Sequence, residues 1–154
     1  MAQKTFVAGD VLTASDVNTY LMGEGGAWTS WTPTVTQSGS VTVTVTRARY
    51  ARYGRTIHVV ALLAVTGSGT GANDVSVSLP VTAAASSIPV GYGSIYDASA
   101  NVSYHGPVVA ATTTTGKMVA TSGGTSGYLG SVGFTAELAN TDTVWIQGTY
   151  EAAT

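Results

Sequence analysis

The sequence contains no cysteine and few charged residues, and each shortage excludes a class of protein. Without cysteine the chain has no disulfide, no thiolate zinc site and no cysteine nucleophile. Charged residues occupy 9% of its 154 positions, well below the roughly 25% of an ordinary globular domain. The net charge of -2 at pH 7 supplies no general attraction to nucleic acid or to an anionic membrane surface, so neither is expected as a partner.

Long hydrophobic runs are also missing. No stretch approaches the roughly 20 apolar residues that a membrane-spanning helix needs. The first ten residues lack the apolar core of a secretion signal. The chain is therefore expected to be made in a cytoplasm and, if it works outside a cell, to leave by lysis or inside a larger particle.

Small polar residues and glycine are abundant instead. Thr, Ser and Gly number 25, 15 and 19, and together they fill 59 of the 154 positions. Because 44% of the chain is hydrophobic, it does not have the composition of a disordered protein. Few Lys, Glu, Leu and Arg argue against an all-helical protein, whereas Thr and Ser mixed with Val, Ile and Tyr suit half-buried strands and tight turns.

The pattern over residues 28–154 predicts an all-β domain. Val41, Val43 and Val45 alternate with threonines, which is the period-two pattern of a strand with one buried face. Further strands are predicted at 56–65, 75–79, 91–96, 102–111, 117–121, 130–138 and 143–151. Gly, Ser, Thr and Asp-rich turns separate them. About eight short strands at this spacing predict an antiparallel β-sandwich, jelly-roll-like in its connections.

Residues 1–27 are predicted to form an N-terminal attachment arm with a short helix. Thr13 can cap a helix of about two turns, and Val17, Tyr20 and Leu21 would form its apolar stripe. Gly23 and its neighbours end the helix and form a joint. Because so short a helix does not persist alone in water, we expect it to dock either on its own domain or on a partner.

A cluster of basic and aromatic residues precedes the second predicted strand. Four of the six basic residues fall within nine positions, and Gly54 marks the turn after them. One interpretation is a patch that binds phosphate or an acidic glycan. In the other, which we favour, the Arg side chains cover aromatic rings across a hairpin and pair with scattered carboxylates. The candidate ligand or subunit contacts are Arg49, Arg52, Tyr53 and Arg55.

No catalytic or metal-binding motif is recognisable. The chain has two histidines: His58 is interpreted as a hydrogen-bonded strand residue and His105 as an exposed residue at a turn before Gly106-Pro107. The eight carboxylates are scattered, and the Gly-rich stretches lack the Lys and the helix of a phosphate-binding loop. We therefore predict no enzymatic activity, no metal and no cofactor.

The three tryptophans receive different predictions. Trp145, between Val144 and Ile146, is expected in the core. Trp28 and Trp31 stand where the arm meets the domain, and they either close the base of the sandwich or pack between subunits.

Several motifs of the chain resemble a known family in their order along the sequence. They are KTFVAGDVLTASDVNTY at 4–20, WTPTV at 31–35, RYARYGRTIHV at 49–59, VSLPV at 77–81 and DTVWIQGTY at 142–150. The first resembles the N-terminal segment of many bacteriophage tail-fibre and minor tail proteins, most closely those of phages that infect actinobacteria. The other four are similar to later parts of the same proteins.

The resemblance implies a virion structural protein that is usually trimeric, with an N-terminal attachment segment and a β-sandwich exposed on the particle surface. It implies contacts with sister subunits and with other virion proteins of the tail or capsid. The expected particle-anchor residues are Phe6, Val11, Leu12, Val17, Tyr20 and Leu21.

Three hypotheses about the function stay open. Because this chain has no long shaft, collagen-like repeat or depolymerase domain, it is either a short tail appendage or a capsid decoration or head fibre. A carbohydrate-binding receptor module that contacts host cell-wall glycan is the alternative of another class.

Overall fold

The computed structural model describes residues 7–11, 13–16, 27–71, 73–122, 125–128 and 137–154, and its fold is all-β. A single helical turn, α1 (Ala14–Asp16), begins directly after the predicted cap residue Thr13. The strands are β1 (Thr29–Ser30), β2 (Val35–Thr36), β3 (Ser40–Val41), β4 (Val43–Tyr53), β5 (Thr56–Val65), β6 (Ser76–Ser78), β7 (Pro89–Asp97), β8 (Val102–Thr112), β9 (Thr115–Ser122), β10 (Thr125–Tyr128) and β11 (Thr143–Glu151). Of the predicted strand at 130–138, positions 130–136 lie outside the described residues, and Glu137 and Leu138 are not in a strand.

All these strands join one antiparallel sheet. Its order is β1-β4-β5-β11-β7-β8-β9-β6-β2-β3, and β10 pairs with the end of β9. The last strand, β11, lies between β5 and β7, in the interior of the sheet and not at its edge. The long strands β5 and β11 have the bounds that the sequence predicts.

The sheet curls so strongly that its last strand, β3, returns to the region where the sheet begins. β3 ends the path and β4 is its second strand, yet only Thr42 separates them in the sequence. One residue spans at most about 3.6 Å, so the far end of the sheet must return to its beginning. The carbonyl oxygen of Thr42 accepts hydrogen bonds from the amides of Thr66 and Gly67 at 2.9 and 3.2 Å, which fixes this corner to the end of β5. The result is a half-barrel with two facing layers, which confirms the predicted antiparallel, sandwich-like all-β class.

The core lies between these layers. In β5 alternate side chains from Ile57 to Val65 are at most 2% exposed, and in β11 Val144 and Ile146 face the same interior. Val35 and Val77 enter from the opposite layer and belong to the same apolar cluster. Long-range pairing of alternating strands therefore buries one face of β5 along its whole length.

The other side of β4, β5, β11, β7 and β8 is called the outer face here. It carries Val60 and Leu62, which are half-buried, so β5 is apolar on both sides. The prediction that Trp145 lies in the core is wrong: its neighbours Val144 and Ile146 are buried, and alternation turns the Trp145 side chain to the outer face, where it is half-buried.

Two buried polar side chains fasten the loops at the edges of the sandwich. The Oε1 atom of Gln37 accepts a hydrogen bond from the Leu138 amide at 2.9 Å, and its Nε2 donates to the Asn73 carbonyl at 3.2 Å. The hydroxyl of Tyr150 donates to the Val81 carbonyl at 2.7 Å and accepts from the Val81 amide at 3.2 Å. Each side chain thereby replaces backbone hydrogen bonds that a loop does not make itself.

Within the described ranges, no helix is both long enough and apolar enough to cross a bilayer.

Candidate functional site

Trp28 lies on the outer face because of the pairing between β1 and β4. Thr29 pairs with Tyr50 and Ser30 with Arg49, so the same register continued by one residue places Trp28 opposite Ala51. The Trp28 side chain is 50% exposed. Trp31, three residues later, has the opposite orientation along the strand and packs against the core. Trp28 and Trp31, which share one prediction because they are close in the sequence, therefore have different surroundings.

A β-bulge in β4 decides where its arginines point. Val45 pairs with the inward-facing Leu63, but Arg47 pairs with the outward-facing Leu62, so Thr46 is the extra residue. Without this bulge the period-two pattern of Val41, Val43 and Val45 would continue inward through the odd-numbered positions. The bulge thus turns both Arg47 and Arg49 to the outer face.

The guanidinium group of Arg49 lies against Trp28. Its Cζ atom is 5.6 Å from the centroid of the Trp28 ring, which is cation–π geometry. The Nε atom of Arg49 is buried, and no residue in the described part of the chain accepts a hydrogen bond from it. Arg47 is exposed two residues earlier on the same face.

Tyr53 and His58 continue this surface toward the β4–β5 hairpin. Their rings meet edge to face, with centroids 5.6 Å apart and an interplanar angle of 84°. The Nδ1 atom of His58 is hydrogen-bonded to the Thr149 hydroxyl at 2.9 Å, which confirms the prediction of a hydrogen-bonded strand histidine. Nε2 is the ring nitrogen left for a ligand.

Two adjoining cavities share Trp28 and His58, and together they are called the Trp28 groove. The first has a volume of about 350 Å³ and is also lined by Ala51 and Tyr53. The second has a volume of about 380 Å³, and its polar lining consists of Arg47, Gln147 and Thr149. Both volumes lie within the range of roughly 300–1,000 Å³ that is typical of small-ligand sites.

The structure divides the predicted basic cluster. Arg49 and Tyr53 belong to or border the Trp28 groove, but Arg52 pairs with the inward-facing Ile57 and therefore lies on the other side of β4. Its Nε donates to the Gly54 carbonyl at 2.7 Å. Arg55, in the hairpin turn, forms an ion pair with Glu151 at 3.0 Å. These two arginines follow the interpretation in which Arg side chains bind their own hairpin and its neighbours.

Arg47 is one of the four arginines of the predicted basic cluster, although it is not among the predicted contacts, and strand alternation places it on the same face as Arg49. Sequence reasoning missed two other polar members of the groove. Gln147 and Thr149 come from β11, about ninety residues away, and no local pattern marks them; only the pairing of β11 with β5 brings them to His58 and Val60.

A second aromatic pair lies farther along the outer face. The rings of Tyr92 and His105 are stacked, with centroids 6.4 Å apart and an interplanar angle of 11°. Tyr92 pairs in register with Gln147, so it lies in the same cross-strand row as a groove residue. His105 is exposed as predicted, but the predicted turn after it is wrong, because Gly106 and Pro107 continue β8.

The described part of the arm exposes apolar side chains. Val7 is 64% exposed and Val11 81%. The Asp10 amide donates to the Val7 carbonyl, and the Asp10 carboxylate accepts from the Val7 amide, both at 3.1 Å, which closes a small turn between the two valines. The other predicted anchor residues lie outside the described residues: Phe6, Leu12, Val17, Tyr20 and Leu21.

The chain matches no family model, no curated protein and no solved structure. In the residues whose placement is described, no group of three or more His, Asp or Glu side chains is arranged to hold a metal ion. The described surface offers two exposed valines before the first strand and an aromatic, basic groove on the sheet.

Proposed function

We propose that the chain is a non-enzymatic structural protein of a bacteriophage virion, a trimeric surface appendage of the tail-fibre or minor-tail type. The observation that carries this proposal is the exposure of Val7 and Val11 on the arm, where the described residues leave them uncovered. Both valines lie in the motif at 4–20 that resembles phage attachment segments. An apolar segment ahead of a packed sandwich provides a surface that a particle can bury.

The outer face supports self-association. Strands that are apolar on both sides are typical of sheets covered on both sides, and β5 places half-buried Leu62 on its outer side, next to the Trp28 groove but not among its lining residues. Half-buried Trp145 pairs with Leu62 in register on β11. A second copy of the chain can cover this strip, and a closed ring of three copies would present three arms to the particle.

Incorporation into particles tests the anchor. The variant V7S/V11S, made in the full chain, removes apolar contact from the arm, and V102S is its matched control because Val102 is also exposed, at 41%, but lies on the sandwich. We expect the arm variant to lower the copy number per particle at least about tenfold, since each valine contributes on the order of 1 kcal/mol when it is buried. Quantitative mass spectrometry of purified particles measures this number.

The arm is not the anchor if V7S/V11S and a chain that lacks residues 1–22 both enter particles at the copy number of the wild type. Loss of incorporation in V102S alone would place the attachment on the sandwich instead. The copy number also separates the two locations, because a capsid decoration is present in hundreds of copies and a tail protein in a few.

Sedimentation equilibrium tests the trimer. We expect the purified chain to have three times its 15.6 kDa mass at micromolar concentration. A monodisperse monomer under these conditions contradicts the self-association part of the proposal.

A further inference from the structure

We propose that the Trp28 groove binds an anionic saccharide, a sugar ring that carries a carboxylate or a phosphate group. In this arrangement the ring lies against the aromatic side chains and its charged group lies at Arg47 and Arg49. The inference concerns the outer face and does not depend on how the arm attaches.

The first argument is charge. Among the basic residues that the structure describes, Arg55 pairs with Glu151 and Lys117 with Asp74, at 3.0 and 2.6 Å. Arg47 and Arg49 have no carboxylate partner in the described ranges, and Arg49 is partly removed from water beneath Trp28. A partly desolvated guanidinium without a counter-ion favours an incoming anion, and arginine binds carboxylate and phosphate groups in bidentate geometry.

The second argument is the pair of exposed rings. Trp28 and Tyr53 are 50% and 49% exposed, and both line the first cavity. Aromatic side chains with one apolar face and nearby polar groups are suited to the flat, apolar side of a sugar ring. A bare inorganic anion would leave these rings unused, so the site has more apolar surface than phosphate alone requires.

The third argument is the polar lining of the second cavity. Gln147 supplies both a donor and an acceptor, and His58 supplies the ring nitrogen that Thr149 leaves free. Hydroxyl groups of a sugar need such mixed partners, spaced around a ring. Aromatic surface, positive charge without a carboxylate partner among the described residues, and mixed hydrogen-bonding groups thus occur together where β1, β4, β5 and β11 adjoin.

Nuclear magnetic resonance titration of the full-length protein tests the proposal. The probes are glucuronic acid, glucose 6-phosphate and glucose, and the signal is the indole N–H of Trp28, assigned by its loss in W28F. We expect at least one acidic probe to shift this signal with a dissociation constant at least tenfold lower than that of glucose. The acidic probe that binds more tightly identifies the carboxylate or the phosphate as the recognised group.

Matched arginine variants locate the charge. R47Q and R47Q/R49Q should weaken binding of the acidic probe at least tenfold, whereas R52Q should leave it unchanged, because Arg52 lies on the same strand but on the opposite side. Arg47 is exposed, so R47Q tests the proposal even if the double variant does not fold.

Three results would overturn the proposal. They are no shift with any probe, equal affinity for glucose and the acidic sugars, or an equal loss in R52Q. If R47Q instead lowers the sedimenting mass of the protein and leaves sugar binding unchanged, the groove is a subunit contact and not a saccharide site. Because these measurements use protein free of particles, their failure leaves the anchoring proposal standing.

Discussion

Gly91 of β7 and Gly148 of β11 lie opposite each other in register, and their backbones approach so closely that neither position has room for a Cβ atom. A Cβ on Gly148 would overlap the Val90 carbonyl oxygen, and one on Gly91 would overlap that of Gln147. Gly91 also has a φ of +153°, a backbone conformation that favours glycine. This contact allows β11 to lie inside the sheet next to the bulged start of β7.

The variant G148A should therefore destabilise the fold by about 3 kcal/mol or more, because backbone atoms cannot move aside as a side chain can. G39A is the matched control, since a Cβ at Gly39 meets no atom within 4 Å; its effect should stay within about 0.5 kcal/mol. Urea unfolding monitored by tryptophan fluorescence measures both. Equal midpoints for G148A and the wild type would show that β7 and β11 are not this close.

Gln37 should be required for the stability of the loop end of the sandwich. It is 1% exposed, and Q37A leaves the Leu138 amide without its hydrogen-bond acceptor. We expect a loss of about 1–3 kcal/mol in the free energy of unfolding. The exposed neighbour Thr36 provides the control T36A, which should have little effect. Comparable losses in both variants would contradict a specific role of the Gln37 amide.

Stability should fall at high pH because of Tyr150. Burial raises the pKa of Tyr150 to about 12, above its ordinary value of 10.0, despite the hydrogen bond from the Val81 amide that favours the phenolate. Between pH 10 and about 12 the unfolded chain therefore loses this proton more readily than the folded chain. The resulting loss is about 2–3 kcal/mol across that window.

The variant Y150F isolates this contribution. It lacks the hydrogen bonds to Val81 and should be less stable than the wild type at pH 7, but its stability should decline less between pH 10 and 12. Chemical unfolding at a series of pH values gives the difference between the two proteins. A constant difference across the window would mean that Tyr150 does not cause the decline.

Asp97 should contribute stability that acid removes. Hydrogen bonds from the Ala100 amide and the Ser99 hydroxyl hold the pKa of Asp97 below its ordinary value of 3.8. The stability that the ionised Asp97 carboxylate adds to the folded state is fully present above pH 3.8. It is lost as the pH falls through the lowered pKa. The stability difference between the wild type and D97N should therefore shrink below pH 3.8. D10N, which removes an exposed carboxylate from the arm, is the control for the loss of one charge.

Local sequence pattern predicted much of the fold because strand period and turn chemistry are local properties. The predicted bounds of β5 and β11 agree with the structure, since each is an apolar-rich run bounded by turn residues. Gly54 occupies the first position of the β4–β5 turn with a φ of +59°, where glycine costs no strain. The two-residue strands β1 and β2 were missed because so few residues show no period.

The orientation of side chains was predicted less well. Trp145 was expected inside because its neighbours are apolar, but in a strand the neighbours of a buried residue face outward. The basic cluster is one run in the sequence, but alternation and the hairpin turn point Arg49, Arg52 and Arg55 in three directions. The bulge at Thr46 has no marker in the sequence, and it sets the side on which Arg47 and Arg49 lie.

Composition, strand period and turn residues were enough to predict the all-β class, most long strands and the hairpin at Gly54, because these are local properties of the chain. Three features appear only in the folded chain: β11 lies between β5 and β7, Trp28 lies over Arg49, and Gln147 and Thr149 border the same groove. The physical reason is that strand order and register depend on hydrogen bonds and packing between segments far apart in the chain, and such pairings leave no mark in the local pattern of either segment.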